Sequence, residues 1–537
     1  LSTLSEYHNV TLRVGIIQAS DRLLTAGTAA AVLGSILAFG GSVWWYRPAA
    51  VVVIMVLVTM QLVQQLLRGR MPVFKSPLTF LWIMVLAIGL VQLAPLPASL
   101  AERMAPKSHE VYVYGVLPEL AKLDDPDVQV EGPTSIRTPS TVDRPATLRW
   151  LISAAMCLAL FWTMAHYVDR LKRLYLVWGC IAAGFMLNAA FAVVQISGQA
   201  DGIYGFIGET RDVGWGPSAD ELAAAPGGAV LRALDDSVPT SEQPPPGQAW
   251  QSVVWVPRHS FLFGMMPGGS SAFLALGAMA LPLSFGIVLH VLAPRGSREN
   301  LASRLGPGGQ GSLAALLVVM LVVAAFVVGM TAGRWFCLPF VGSLLLVGLL
   351  SATSPGSRGV AFGLTAIVVT SLALGVTLNS MWPVMLGSQP PIAPLSWETA
   401  GTVWKESAAI MRDFPLLGTG FGSFPIIYPY YKSQDLALNN PMSSVLRCGI
   451  EGGAAVLLIL AMGAFWCLWR VPGCVKKVGS ADRALVFGLI GAVLGFAVWS
   501  TFNWTVDLPA VAFSASALCG TWNRWLAGGT DLFVERV

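Results

Sequence analysis

Long apolar runs separated by short polar breaks make up most of this chain. They lie near Leu23–Trp45, Ala49–Leu67, Pro77–Ala98, Leu148–Tyr167, Leu174–Ile196, Ser270–Val291, Ser312–Met330, Trp335–Leu350, Val360–Asn379, Cys448–Trp469, Ala484–Phe502 and Leu508–Trp525. At 1.5 Å rise per residue, a helix needs about 20 apolar residues to cross a hydrocarbon layer of roughly 30 Å. The runs therefore predict an all-α polytopic membrane protein with about twelve transmembrane helices. The first run starts only after Asp21-Arg22 and is followed at once by another, which predicts a first span rather than a cleavable signal.

The polar breaks alternate in charge. Arg68, Arg70 and Lys75 follow the second run, Arg170, Lys172 and Arg173 the fourth, and Arg295, Arg298 and Arg304 the sixth. Arg358 follows the eighth, and Arg470, Lys476, Lys477 and Arg483 the tenth. Basic loops stay in the cytoplasm, so both termini are expected inside and the odd-numbered loops outside. Trp44, Trp45 and Tyr46 are placed to anchor an interface.

Composition agrees with the pattern: 55% of the 537 residues are hydrophobic and only 12% are charged, against about 25% charged in soluble domains. The net charge of +4 says little where charges are sorted by membrane side, and nothing in the chain calls for a nucleic-acid partner. The seven cysteines fall in or beside spans or on the inner side, so no disulfide framework is expected outside. None has a metal-ligand spacing with His, and no metal or other cofactor is expected.

The outer loops carry the candidate chemistry. Ser99–Thr147 is acidic at Asp124, Asp125, Asp127 and Glu131, as a solvated surface would be, and enters the fourth span through the helix-start sequence STVDRPATLRW. Ser197–Gly269 holds the Pro-rich, weakly apolar insert Asp236–Gly247, which predicts disorder. Its edges bring Arg211, Arg258 and His259 towards the membrane; His259 is either a hydrogen-bonded structural residue or a catalytic candidate. Arg334, in VVGMTAGRWFCLPF, sits at the outer boundary with almost no loop around it. An ionisable group so close to hydrocarbon has a partner or ligand, or else reaches for lipid phosphates.

The most polar outer stretch is Trp397–Gly453, after a helix-breaking Pro390, Pro391 and Pro394. From Glu398 to Arg412, apolar Ala400, Val403, Trp404, Ala408 and Met411 recur at helical spacing, which predicts an amphipathic helix suited to the membrane interface. Asp413-Phe414-Pro415 ends it. Gly418, Gly420 and Gly422 then form either a simple turn or a backbone able to offer N–H groups to a phosphate.

Trp404, DFPLLGTGFGSFPIIYPYY and the IEGG at Ile450–Gly453 together resemble the bacterial O-antigen ligase and O-antigen polymerase-related membrane proteins. TAGRW at Thr331–Trp335 and WTVDLPA at Trp504–Ala510 are similar to further segments of that family, and the resemblance runs from about Ser270 to the end. The chain departs from the family pattern at Ala400, where an Arg is usual, and at Met442, where a His is usual. PGGSSAF at Pro267–Phe273 and Asn503 are further departures.

The resemblance implies a GT-C-like, metal-independent glycosyltransferase in the bacterial cytoplasmic membrane. It would move or polymerise a glycan from a polyprenyl diphosphate-linked donor onto an acceptor hydroxyl, on a lipid or glycan, at the outer face. Arg334 matches a family arginine and is the first choice for the diphosphate; Arg258, Arg412, Lys432 and Arg447 are further cations, and Trp404, Tyr428 and the three loop glycines complete the binding set. Glu451 and Glu398 are the candidates for base or positioning, with His259 in reserve. Glu451 has a helix cap, and Arg447 a pair with Glu451 one turn on, as structural alternatives. If the missing His was the only route to the acceptor, the chain is instead an inactive scaffold or complex subunit with protein partners. The expected organisation is a three-helix segment to 98, an outer loop at 99–147, helices four and five with the long loop at 148–269, the ligase-like domain at 270–527 with its large loop at 380–447, and a tail at 528–537.

Overall fold

A computed structural model describes residues 2–37, 46–67, 76–111, 138–198, 269–292, 310–353, 358–386, 397–433, 441–479, 482–503 and 508–527. The described residues are helical throughout apart from turns and one isolated antiparallel bridge, Leu96 to Thr138. In chain order the helices are α1 Ser2–Leu37, α2 Tyr46–Leu67, α3 Pro77–Leu93, α4 Ala98–Met104, α5 Pro106–Val111, α6 Arg144–Tyr167, α7 Leu171–Gly198 and α8 Gly269–Leu292. They continue as α9 Gln310–Phe336, α10 Leu338–Ala352, α11 Arg358–Leu386, α12 Trp397–Asp413, α13 Phe424–Ile427, α14 Ser444–Val475, α15 Arg483–Phe502 and α16 Pro509–Leu526. Each of the twelve apolar runs overlaps a helix, with 38–45 of the first run outside the described residues. Among the described residues eight helices, α2, α6, α7, α8, α9, α11, α14 and α15, are long and apolar enough to cross a membrane, and α3 and α10 are shorter apolar helices. This is the architecture of an all-α polytopic membrane protein.

Helix α8 is the axis of the bundle, buried along nearly all of its apolar length. Glycines bring its neighbours close. A Cβ on Gly286 would lie 2.7 Å from the Ala484 carbonyl and 2.8 Å from the Cα of Gly488, so α8 and α15 touch backbone to backbone. In the α9–α11 seam a Cβ on Gly329 would fall on the Leu372 carbonyl, and one on Gly375 on that of Phe326. Small residues at such crossings let dispersion contacts hold helices together where lipid is as apolar as the side chains.

Charge inside the helices is paired. Helix α1 runs unbroken through Asp21, and that carboxylate accepts from Gln64 Nε2 at 2.6 Å and pairs with Arg173 at 3.0 Å. Arg173 also pairs with Asp169 at 2.9 Å and lies 4.9 Å from the centre of the Tyr167 ring. Tyr46 differs from the interfacial anchor expected of it: it is buried, and its hydroxyl donates to the Ala31 carbonyl at 3.2 Å. Burial against α1 lets the ring pack on a glycine, since the tip of Tyr46 is the nearest atom to a Cβ on Gly34.

Candidate functional site at the capped end of the bundle

Helix α14 is capped by Ser443, whose Oγ accepts from Leu446 N at 3.3 Å, and then breaks at Gly453 (φ 67°, ψ −168°). A break inside a helix frees carbonyls on one side and N–H groups on the other, and each must find a partner when buried. The glycine loop supplies them. Thr419 N donates to Ile450 O at 2.8 Å and Gly420 N to Glu451 O at 3.1 Å. Beyond the break, Ala454 N donates to Pro415 O at 2.9 Å and Ala455 N to Leu416 O at 3.5 Å.

This close approach explains the glycines. Gly418, Gly420 and Gly422 all have positive φ, of 70°, 101° and 82°. A Cβ on Gly418 would lie 2.5 Å from the Glu451 carbonyl carbon, and one on Gly420 would overlap Thr141. Of the two readings of the loop, the structure gives the turn: the N–H groups of Thr419, Gly420, Phe421 and Ser423 donate inside the protein, so these four do not face a phosphate.

Residues that the sequence reading did not single out hold the loop from its other side. Gln92, buried in α3, donates to Leu417 O at 2.6 Å and Glu451 O at 2.8 Å and accepts from Phe421 N at 3.2 Å. Val142 N donates to Thr419 O at 2.8 Å, and Thr147 Oγ1 to Phe421 O at 2.9 Å. Trp150 stacks on Phe421 with centroids 3.7 Å apart. The signal available for Gln92 was a lone amide in an otherwise apolar run, where a polar group has a partner. Replacing Gln92 with Leu takes their bond from the Leu417 carbonyl and the Phe421 N–H, while the Glu451 carbonyl keeps Gly420 N, so unfolding in detergent is expected to show a loss of roughly 2–4 kcal/mol, from about 1–3 kcal/mol per buried unsatisfied group and partial relaxation.

Glu451 follows directly. Its Oε1 accepts from Arg447 Nε at 2.7 Å and from Phe424 N at 3.3 Å. The two side chains are 1% and 5% exposed. The pair one turn apart, the structural alternative for these two residues, is therefore present. Met442 is the one non-glycine with positive φ (56°) among the described residues.

Helix α12 covers this centre. Its buried positions are Ala400, Val403, Ser407 and Ile410, and Phe414 just after it is buried too. Val403, Ile410 and Phe414 form a small core with Phe424, Ile427, Tyr428 and Ile450. The amphipathic helix expected to lie in the membrane interface thus turns its apolar face inward onto protein, while Ala408, placed on the apolar face by spacing, is exposed. Trp404 is half-buried, with its ring 6.3 Å from that of Phe502 at the end of α15.

On the outside of α12, Glu406 accepts from Tyr428 OH at 2.7 Å and from Ser433 N and Oγ at 2.7 and 2.6 Å. Tyr431 OH donates to Asp413 at 2.6 Å. Burial, reinforced by the carboxylate that each faces, pushes the Tyr428 and Tyr431 hydroxyls well above their ordinary range. For Glu406 burial acts upward, but its three hydrogen bonds outweigh it and hold the carboxyl below the usual range. A depressed carboxyl stabilises the fold above its unfolded pKa, and that contribution disappears as pH falls through the folded value. The melting temperature of wild type is therefore expected to fall more between pH 7 and pH 3 than that of Glu406→Gln, and equal falls would show that these bonds do not depress the carboxyl.

No family model and no curated protein matches this chain. Among the predicted residues, Glu451, Arg447, Tyr428 and the three glycines come together, with Trp404 at their edge. Arg412 and Lys432 are exposed on the outer side of the cap. Glu398 lies in the first turn of α12 and Arg334 in the last turn of α9; their side chains are outside the described residues. His259, Arg258 and Arg211 are outside them altogether, as are the insert 236–247, the acidic run 124–131, Trp504–Asp507 and the tail. Among the described residues no three His, Cys, Asp or Glu are grouped to hold a metal.

The helix that carries Arg334 ends at Phe336, and α10 begins at Leu338, which lines one groove with Phe502 of α15. Phe502 in turn meets Trp404 of the cap.

Proposed function

We propose that this chain transfers or polymerises a glycan from a polyprenyl diphosphate-linked donor onto an acceptor hydroxyl, at the outer face of a bacterial cytoplasmic membrane. In this reading the twelve helices are all spans, both termini are cytoplasmic, and α12 with the glycine loop caps the outer end. The observation that supports it is that α10, which begins two residues after the helix that carries Arg334, lines one groove with Phe502, whose ring faces Trp404 of the cap. A diphosphate leaving group needs fixed cations where charge develops. Arg334 takes that role, with the exposed Arg412 and Lys432 as further cations, while Arg447 and Glu451 hold the frame. Replacing Arg334 with Ala is expected to abolish glycan transfer in cells while the protein stays in the membrane at wild-type level. An unchanged glycan profile in that variant overturns the proposal.

One observation favours a second reading, a catalytically inactive scaffold or complex subunit. Glu451 and Arg447 neutralise one another in a buried pair and the loop N–H groups are spent on the helix break. That reading requires a protein partner that copurifies in fixed ratio, and a normal phenotype for Arg334→Ala.

A further inference from the structure

Helices α6 and α14 start beside the glycine loop, α10 starts beside Phe502, and α15 ends there. Their other ends, at Tyr167, Val475, Ala352 and Arg483, therefore lie opposite the cap. Arginines close the helices at that end. Arg173 Nη1 donates to Tyr167 O at 3.1 Å, Arg358 Nε to Ala352 O at 3.2 Å, Arg483 Nε to Val478 O at 3.4 Å and Arg470 Nη2 to Leu526 O at 3.1 Å. Each serves a carbonyl left over where a helix stops and its dipole is negative.

The acids of this end are engaged as well. Asp21 and Asp169 flank Arg173 at 3.0 and 2.9 Å, and Asp482 faces His290 at 3.8 Å. Lys476 and Lys477, exposed just past α14, are joined to no carboxylate by an ion pair among the described residues. Their charge is left for a partner from outside the chain. Above them α14 is the least buried of the eight long apolar helices. Phe465, Leu468 and Trp469 in its last turns are 68%, 67% and 75% exposed, and the Phe465 and Trp469 rings are 6.2 Å apart.

Depth and direction follow from α14 itself. From the break at Gly453 to Val475 the helix rises roughly 33 Å, about the thickness of a hydrocarbon layer, which brings the two lysines to headgroup depth. Lys476 keeps helical backbone (φ −61°, ψ −25°), so it stands two turns below Trp469 on the same side of the helix, and Trp469 stands one turn below Phe465. An aromatic stripe thus runs down to a pair of uncompensated ammonium groups. Lysines at a membrane surface attract anionic headgroups, and a zwitterionic headgroup offsets its phosphate with a cation of its own. We infer that this end of α14 binds an anionic phospholipid, its phosphate on Lys476 and Lys477 and an acyl chain along Trp469 and Phe465. The inference rests on the membrane architecture alone, so its failure leaves the glycan-transfer reading intact.

The test titrates the full chain in detergent with phosphatidylglycerol, phosphatidylcholine and inorganic phosphate, and reads binding by native mass spectrometry. Wild type is expected to bind phosphatidylglycerol about tenfold more tightly than phosphatidylcholine, since each lysine contributes about fivefold towards an anionic surface. Lys476→Gln with Lys477→Gln is expected to bring the two lipids to equal affinity, and Trp469→Ala to weaken both. The lysines are exposed, so their exchange leaves the melting temperature unchanged. Lys172→Gln at the start of α7 and Lys405→Gln on α12, also exposed, are expected to keep the preference. Equal affinity for the two lipids in wild type, an undiminished preference in the double variant, or the same loss from Lys172→Gln overturns the assignment. So does inorganic phosphate bound as tightly as the anionic lipid.

Discussion

Arg447→Ala is expected to cost about 3–5 kcal/mol of stability, because removing one partner strands a buried charge. Glu451 is 1% exposed and pairs with Arg447 Nε at 2.7 Å. The cost should appear as loss of monodisperse protein in detergent and a strongly lowered melting temperature. Converting both members, Arg447→Met with Glu451→Gln, removes the charge pair together and is expected to recover most of the loss. Recovery of stability without recovery of glycan transfer would then separate a framework role from a chemical one. Equal stability of Arg447→Ala and wild type would show that the pair does not hold the cap.

Gly453→Ala is expected to be as damaging for a different reason. The residue holds φ 67° with ψ −168°, a backbone open to glycine. A Cβ there would overlap the Leu416 carbonyl and lie 2.7 Å from Gly418 N. Strain of about 1–3 kcal/mol adds to overpacking of about 1–3 kcal/mol. The alternative for the chain is to straighten α14 and expel the loop. Limited proteolysis within 415–433 should therefore rise sharply in this variant, and unchanged protection would contradict the plugged-break arrangement.

The fold class was legible because apolar helices write themselves as local composition: each apolar run overlaps a helix, and the predicted Glu398–Arg412 helix is α12, Trp397–Asp413. The direction of faces was less legible. Spacing put Ala408 on the apolar side, whereas Ser407 and Ile410 are buried, because the partner surface of Phe424, Tyr428 and Ile450 is assembled from later sequence. The polar alternation that suggested an interfacial helix is the same whether the apolar face meets lipid or protein.

The site was half legible for the same reason. Gly418, Gly420 and Gly422 announced a special backbone, but what they approach is a helix about thirty residues on, as the Thr419 to Ile450 bond spans 31 positions. Gln92 lies 359 positions from Glu451, and no local pattern pairs them. Glu451 looked chemical as an acid before a span; its burial with Arg447 makes the ion pair, which the i, i+4 spacing had offered, the controlling fact.

The Gln92 crossbar also sets an order of assembly. When α3 enters the membrane during synthesis, the carbonyls and N–H that its amide will serve have not yet been made. They arrive with the glycine loop and α14, more than three hundred residues later. The amino-terminal helices therefore wait with an unsatisfied amide at their rim, and the cap closes only after α14 is in place. A chain stopped before α14 would carry every residue of α3 and α6 yet lack the surface that completes them.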